Sequence, residues 1–292
     1  MQIRFDGRVA IVTGAGGGLG RQHALALGAR GAQVVVNDFV AANAEAVAAE
    51  IRAAGGTAIA AAGSVSDEAA VAAMVQAAMT AWGRVDILVN NAGILRDKSF
   101  GKMTLADFRE VLEVHLVGAA ICTQAVWPVM RAQKYGRVVM TTSSSGLYGN
   151  FGQANYGAAK MGLVGLMQTL SIEGAKDGIR VNCLAPTAAT QMTEGLMPPA
   201  VLAKLDPAAV SPGLLFLVSD DAPTRAILCA GAGTFERAYV TLTHGVHLGT
   251  GPDVPEQVAA QFDAISDRSR ETVPMAGSEQ GQNEVTQAVA GS

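Results

Sequence analysis

Cysteine is scarce in this chain: three residues in 292, at positions 122, 183 and 229. An odd, widely spaced set builds neither a disulfide framework nor a zinc site. Cys122, Cys183 and Cys229 each sit in an apolar run, where a thiol serves as a small hydrophobe. Histidine is nearly as rare, and His23, His115, His244 and His247 form no HExxH or comparable ligand pattern, so no metal is expected. Charge is also thin. Only 16% of residues are charged and the net charge is −4, which argues against nucleic acid and anionic membrane as partners. No apolar run approaches the length of a membrane span. The start, MQIRFDGRVAIVTG, lacks the apolar stretch and small-residue cleavage site of a signal peptide, so the cytoplasm is the expected compartment.

Half of the chain is apolar, and alanine and glycine are abundant while aromatics make up 5%. That composition excludes disorder and suits helices lying close on a sheet. Apolar, β-branched runs alternate with alanine-rich helical stretches. Strands are expected at 9–14, 32–38, 57–65, 85–93, 136–144, 179–186 and 227–233, and helices at 18–31, 41–56, 67–83, 104–133 and 154–178. Pro128 should kink or shorten the fourth of these helices. Continuous rather than alternating strands mean a parallel sheet covered on both faces. The fold class is therefore α/β: a Rossmann-like, doubly wound parallel sheet of about seven strands. A single dinucleotide-binding and catalytic domain is expected over 1–250. The polar stretch 251–292 reads as an extension that contacts a partner subunit or is partly disordered; within it PEQVAAQFDAIS suits a helix.

GAGGGLG (14–20) lies between the first strand and the first helix. Glycines let the backbone turn sharply toward a pyrophosphate, and the helix N-terminus offers amide donors and a favourable dipole. Asp38 ends the second strand, where a carboxylate accepts both hydroxyls of an adenosine ribose and repels a 2′-phosphate. NAD is therefore expected over NADP. The alternative is a helix N-cap, a role that Asn37 could also fill.

The stretch SSSGLYGNFGQANYGAAK (143–160) places Tyr156 and Lys160 four residues apart, on one face of a helix. The pair is either a solvated helix face or a device for making a phenolate near neutral pH. Together with TGAGGGLG, NNAG, a serine thirteen residues before the tyrosine and a proline after the sixth strand, it resembles the short-chain dehydrogenase/reductase family over about residues 6–235. The resemblance implies a catalytic Ser143, Tyr156 and Lys160. It implies cofactor contacts from Gly14, Gly18, Leu19 and Gly20, from Asn91, Ala92 and Gly93 after Asn90, and from Tyr156 and Lys160 again. Ser64 and Val65 would lie at the adenine, and Pro186, Ala188 and Thr190 or Thr193 at the nicotinamide. The family's helix asparagine is replaced here by His115, read as a core histidine or as part of a proton relay.

The chemistry can be stated on its own terms. An alcohol gives up a hydride to a nicotinamide and a proton to a base poised near the working pH. An unperturbed tyrosine is about three units too weak an acid for that task, and a neighbouring ammonium would lower its pKa. Ser143 would orient the substrate oxygen. Leu95, Arg96, Leu147, Tyr148, Phe151 and the segment 188–205 are expected to face the substrate. Arg96 and Lys98 would meet CoA phosphates or stand as solvated loop charges.

NNAGILRDKSF, VHLVG, AVWPVM and SGLYGNFGQANYGAAK narrow the likeness. They are similar to the (3R)-hydroxyacyl-CoA dehydrogenase part of the type 2 multifunctional enzymes of peroxisomes, which implies a 3-hydroxyacyl-CoA or a hydroxysteroid as substrate. The loop after Asp38 lacks the insert associated with those enzymes. Two other readings stand beside it: a 3-oxoacyl-ACP-type reductase using NADPH, and a non-catalytic dinucleotide-binding protein. Gly157, Gly162 and Gly165 on the 154–178 helix suit close packing, so a homodimer or homotetramer is expected.

Overall fold

A computed structural model describes residues 2–189 and 204–290. Eight strands form one sheet in the order β3-β2-β1-β4-β5-β6-β7-β8. The strands are β1 (Val9–Val12), β2 (Gln33–Asp38), β3 (Thr57–Ala62), β4 (Ile87–Asn90), β5 (Gly136–Thr141), β6 (Ile179–Thr187), β7 (Ile227–Gly231) and β8 (Thr234–Ala238). Pairing from β3 through to β7 is parallel throughout. β1 and β4 are buried at every position, as strands covered on both faces must be. Asp86, fully buried, accepts the Val9 amide at 2.9 Å and two bonds from Arg84 at 2.6 and 2.7 Å, which fixes the entry of β4 beside β1.

The helices follow from local chemistry. α1 (Gly18–Ala29), α2 (Ala41–Ala53) and α3 (Glu68–Trp82) are alanine-rich, and alanine is the best helix former. Asp67 caps α3 by accepting the Ala69 and Ala70 amides, and Gly83, left-handed at φ 70°, ends it. Thr104 and Asp107 form a reciprocal capping box on α4 (Leu105–Leu112). α4 runs through a wider π turn (Glu113–Val117) into α5 (Gly118–Gln133). Then come α6 (Ser144–Tyr148), α7 (Ala154–Gly174), α8 (Ser211–Leu217), α9 (Val254–Ala260), α10 (Phe262–Ile265) and α11 (Ser278–Ala290).

Three expectations change. Pro128 lies inside α5 without shortening it, and the irregularity falls instead at the π turn that carries His115. The continuous helix 105–133 is, by length and composition alone, long and apolar enough to cross a membrane, a feature hidden by its spaced polar residues. In the structure it packs along β4, β5, α3 and α7. An eighth strand follows the seventh after two residues of positive φ, Ala232 (50°) and Gly233 (77°), the backbone of a tight hairpin turn. The sequence hid β8 because its side chains are nearly all exposed. The chain divides into two compact units, 1–237 and 238–292. Within the second, α9 and α10 cover the expected helix in two pieces, and α11 adds a third helix.

Candidate active site

The strand order reverses between β1 and β4, and in such sheets the crevice beyond the carboxyl ends of the strands is where ligands bind. The chain leaves β1 through Gly14 at φ 60°, and a Cβ there would stand 2.7 Å from Ala92 Cα. Only glycine suits both the dihedral and the close approach. Asn91 clasps this turn: its Nδ2 donates to the Thr13 and Gly14 carbonyls at 3.0 and 3.1 Å. Thr13 Oγ1 in turn accepts the Asn91 and Ala92 amides. The turn feeds the N-terminus of α1, which has no side-chain cap, so its first amides point into the crevice unclaimed by a capping side chain.

Asp38 ends β2 at the same crevice. Its Oδ2 accepts the Gly16 amide at 3.0 Å and its Oδ1 the Val40 amide at 2.9 Å. Two backbone donors thus fix the carboxylate, and each oxygen keeps a free lone pair.

A cavity of about 510 Å³ runs along these strand ends. At one end it is lined by Gly14, Gly18, Leu19, Gly20 and Asp38, and at the other by Tyr156, Lys160, Pro186 and His115, with Asn91 and Gly93 between. Each of these is a candidate on the sequence alone. Asn43 and Thr141, which carry no sequence signal, also line the cavity, as do Gly16 and Gly17 within the glycine run. Asn43 sits one turn into α2 and Thr141 at the last position of β5, and neither carries a motif. Ser64, Val65, Ala92 and Ala188 do not line this cavity. Ser64 Oγ is 2.8 Å from Ser66 Oγ, Val65 is buried beneath Gly118, and Ala188 belongs to the core. Thr190 and Thr193 lie outside the described residues.

Tyr156 and Lys160 share a face of α7. Lys160 is buried, and its Nζ donates to the Thr141 carbonyl at 2.6 Å and sits 5.4 Å from the centre of the Tyr156 ring. Burial brings the Lys160 pKa down to about 7. The Tyr156 hydroxyl is hydrogen-bonded to Ser143, itself nearly buried at the N-cap of α6. Burial raises the Tyr156 pKa, the Ser143 bond opposes that rise, and the Asp97 charge adds to it. This differs from the expectation that Lys160 depresses the phenol. The ammonium is turned to a backbone carbonyl, and desolvation of the phenolate dominates.

His115 stands edge-on to the Tyr156 ring, with centroids 5.2 Å apart. Its Nε2 meets the backbone of Ile94, 3.0 Å from the amide and 2.8 Å from the carbonyl. A Cβ at Gly93 would fall 2.1 Å from His115 Cε1, so the NNAG glycine makes room for this ring. Burial and the Lys160 charge hold His115 down at about 3, hence neutral. A second, water-sized cavity of about 10 Å³ lies among Asn90, His115, Lys160 and Val65. Among the described residues, buried Asn90 Oδ1 and His115 Nδ1 have no hydrogen-bond partner. A space of that size is big enough for one water molecule.

Arg96 and Lys98 are paired, with Glu110 at 2.8 Å and Asp107 at 2.9 Å. Tyr148 and Phe151 are largely exposed, at 73% and 90%.

Residues 8–199 match the short chain dehydrogenase family. A Mycobacterium tuberculosis protein, named as a short-chain type dehydrogenase/reductase, is 47% identical over 272 residues, covering 90% of this chain and 95% of its own. Peroxisomal multifunctional enzyme type 2 of Drosophila melanogaster is 44% identical over 282 residues, covering 92% of this chain. This chain spans only 47% of that enzyme. The enzyme's full-length structure superposes with a TM-score of 0.83 over 97% of this chain and 50% of that one, at 40% identity. A 7α-hydroxysteroid dehydrogenase, complexed with NADH and 7-oxo glycochenodeoxycholic acid, superposes with a TM-score of 0.74 at 32% identity, covering 79% of this chain and 95% of that one. The chain described here belongs to the short-chain dehydrogenase family.

Proposed function

We propose that this chain is an NAD-dependent dehydrogenase interconverting a secondary alcohol and a ketone, with 3-hydroxyacyl thioesters as its substrate class. One observation carries the reading. A single cavity holds a fixed carboxylate and an uncapped helix N-terminus at one end and Tyr156 with Lys160 at the other. The residues fit a dinucleotide: the glycine turn leaves space where any Cβ would collide, and Asp38 offers two acceptors for a ribose diol. Lys160 is the one cation among the described residues lining the cavity, and it lies at the end away from Asp38. A 2′-phosphate beside Asp38 would meet a carboxylate and no cationic side chain among the described lining residues, which supports NAD over NADP. The thioester reading rests on the sequence likeness to the peroxisomal enzymes.

NAD, when bound, supplies the hydride acceptor. The chain's own groups handle the proton. Tyr156 Oη exchanges it with the substrate oxygen, and the Ser143 hydroxyl holds that oxygen in line. Lys160, with a pKa near 7, changes charge in the working range and supplies or withdraws positive charge beside the phenol. With its pKa raised by burial, the phenol is protonated, the form that donates to a ketone. Oxidation requires the phenolate, so it gains as pH rises. We also infer self-association through the outer face of α7, where Met161 and Ile172 are exposed and Gly165 faces open space.

The test is Tyr156→Phe. Turnover of 3-hydroxyacyl-CoA, hydroxysteroids and simple secondary alcohols is followed by the absorbance of the reduced nicotinamide, with NAD and NADP compared. Loss of one acid–base group costs about 10²- to 10⁴-fold. We expect that loss with NAD binding retained; a variant turning over at the wild-type rate removes the mechanism, and wild-type preference for NADP removes the role given to Asp38.

A further inference from the structure

The loop that follows Gly93 is stitched to the start of the catalytic helix. Lys98 N–H donates to the Gly152 carbonyl at 2.9 Å, Gln153 Nε2 to Asp97 Oδ2 at 2.6 Å, and Asn155 Nδ2 to the Arg96 carbonyl at 3.2 Å. Asn155 Oδ1 then accepts the Tyr156 amide at 2.8 Å. Asp97 is thereby held against the N-cap residue of α7, three residues before the phenol.

The charges around it do not cancel. Arg96 is spent on Glu110 and Lys98 on Asp107, at 2.8 and 2.9 Å. Among the described residues Asp97 has no ion-pair partner, so this loop presents one net negative charge at the rim of the Tyr156 site. Among the described residues, the other groups that face Tyr156 are Lys160 from its own helix, the neutral His115 ring from the π turn and the Ser143 hydroxyl at the N-cap of α6. None of them neutralises Asp97, because Lys160 lies buried on the Thr141 side.

We propose that Asp97, held by Gln153 beside Tyr156, reserves the substrate side for ketones and alcohols flanked by uncharged esters or thioesters and turns away free 3-hydroxy and 3-oxo carboxylates. The inference rests on the dehydrogenase reading and names which substrates that site accepts. An acyl-CoA is compatible because its phosphates lie far from the reacting carbon, whereas a free acid would place a carboxylate two carbons from it. The Asp97 charge also opposes ionisation of Tyr156.

The test is Asp97→Asn, which removes the charge and keeps an oxygen for Gln153. The first measurement is the ratio of kcat/KM for ethyl 3-hydroxybutyrate to that for 3-hydroxybutyrate. Removing the repulsion should lower this ratio about fivefold to tenfold at low salt, and by less at 0.5 M salt, where exposed charges are screened. The second is an ultraviolet titration of Tyr156, taken as the difference from Tyr156→Phe. Asp97→Asn should move that titration down by about half a unit. An unchanged ratio, or a ratio that falls equally at all salt concentrations, overturns the proposal. If wild type turns over neither of these compounds nor any of the acyl-CoA, steroid and alcohol substrates named above, the enzyme reading fails, and the titration still decides whether the Asp97 charge reaches Tyr156. No shift there sinks the inference by itself.

Discussion

Asn43 marks how far a single residue can matter without a motif. It is exposed, lines the cavity, and shares one point in space with Asp38: a Cβ on Gly16 would lie 2.6 Å from Asn43 Cβ and 2.7 Å from Asp38 Oδ2. A ribose diol both donates and accepts. Asp38 can only accept, so under the dinucleotide reading proposed above a neighbouring amide donor would complete the recognition. A net hydrogen bond contributes about 0.5–1.5 kcal/mol, or about 2- to 12-fold in affinity. Asn43→Ala should weaken NAD binding by that factor in a calorimetric titration and leave kcat at saturating NAD unchanged. Loss of kcat with unchanged affinity would place Asn43 outside the cofactor site. By contrast the Tyr156–Lys160 pair was legible in the sequence because a helix fixes i and i+4 on one face, and Ser143 was legible only through the family resemblance. Their electrostatics were not. Spacing cannot show that Lys160 turns to the Thr141 carbonyl or that burial outweighs its charge at the phenol.

At the scale of elements, α7 has two faces with different tasks. Leu163, Val164 and Met167 are buried, while Met161, Gly165, Thr169 and Ile172 recur along the opposite side and are exposed. An exposed apolar stripe at helical spacing is a surface that gains by pairing. Ile172→Glu should shift the chain to a smaller species in sedimentation velocity, since a charge buried without a partner at an interface is costly. A wild-type chain that sediments as a monomer removes this role. The parallel strands β1 to β7 were readable because both faces are covered, which writes a continuous apolar run. The π turn at Glu113–Val117 was not readable. It has no composition of its own, and the His115 ring it carries meets Gly93 and Ile94, a contact between distant stretches of sequence. β8 was missed for the opposite reason: an edge strand with exposed side chains has no buried face to pattern.

For the whole molecule, two buried histidines tie stability to pH. His23 is fully buried in α1. Its Nδ1 lies 2.9 Å from Ser211 Oγ at the start of α8, its Nε2 has no partner among the described residues, and burial holds it at about 3. His115, also buried, stands at about 3 as well. Unfolded histidine titrates near about 6.5. Both folded values lie below the unfolded one, so between these pH values the unfolded chain binds more protons. The stabilising effect is present in full above about pH 6.5 and is lost as the pH falls toward about 3. Each histidine contributes a slope of about 1.4 kcal/mol per pH unit in that window. Asp107, held at about 2 first of all by its Lys98 bond, keeps its charge through most of the window and contributes to the slope only near its acid end. The expected result is a steep decline in urea-unfolding free energy from pH 6 to pH 4. His23→Gln should be less stable at pH 7 but should show a slope smaller by about 1.4 kcal/mol per pH unit. An unchanged slope in that variant would mean that His23 charges without unfolding the chain, and that α1 and α8 separate locally before the sheet does.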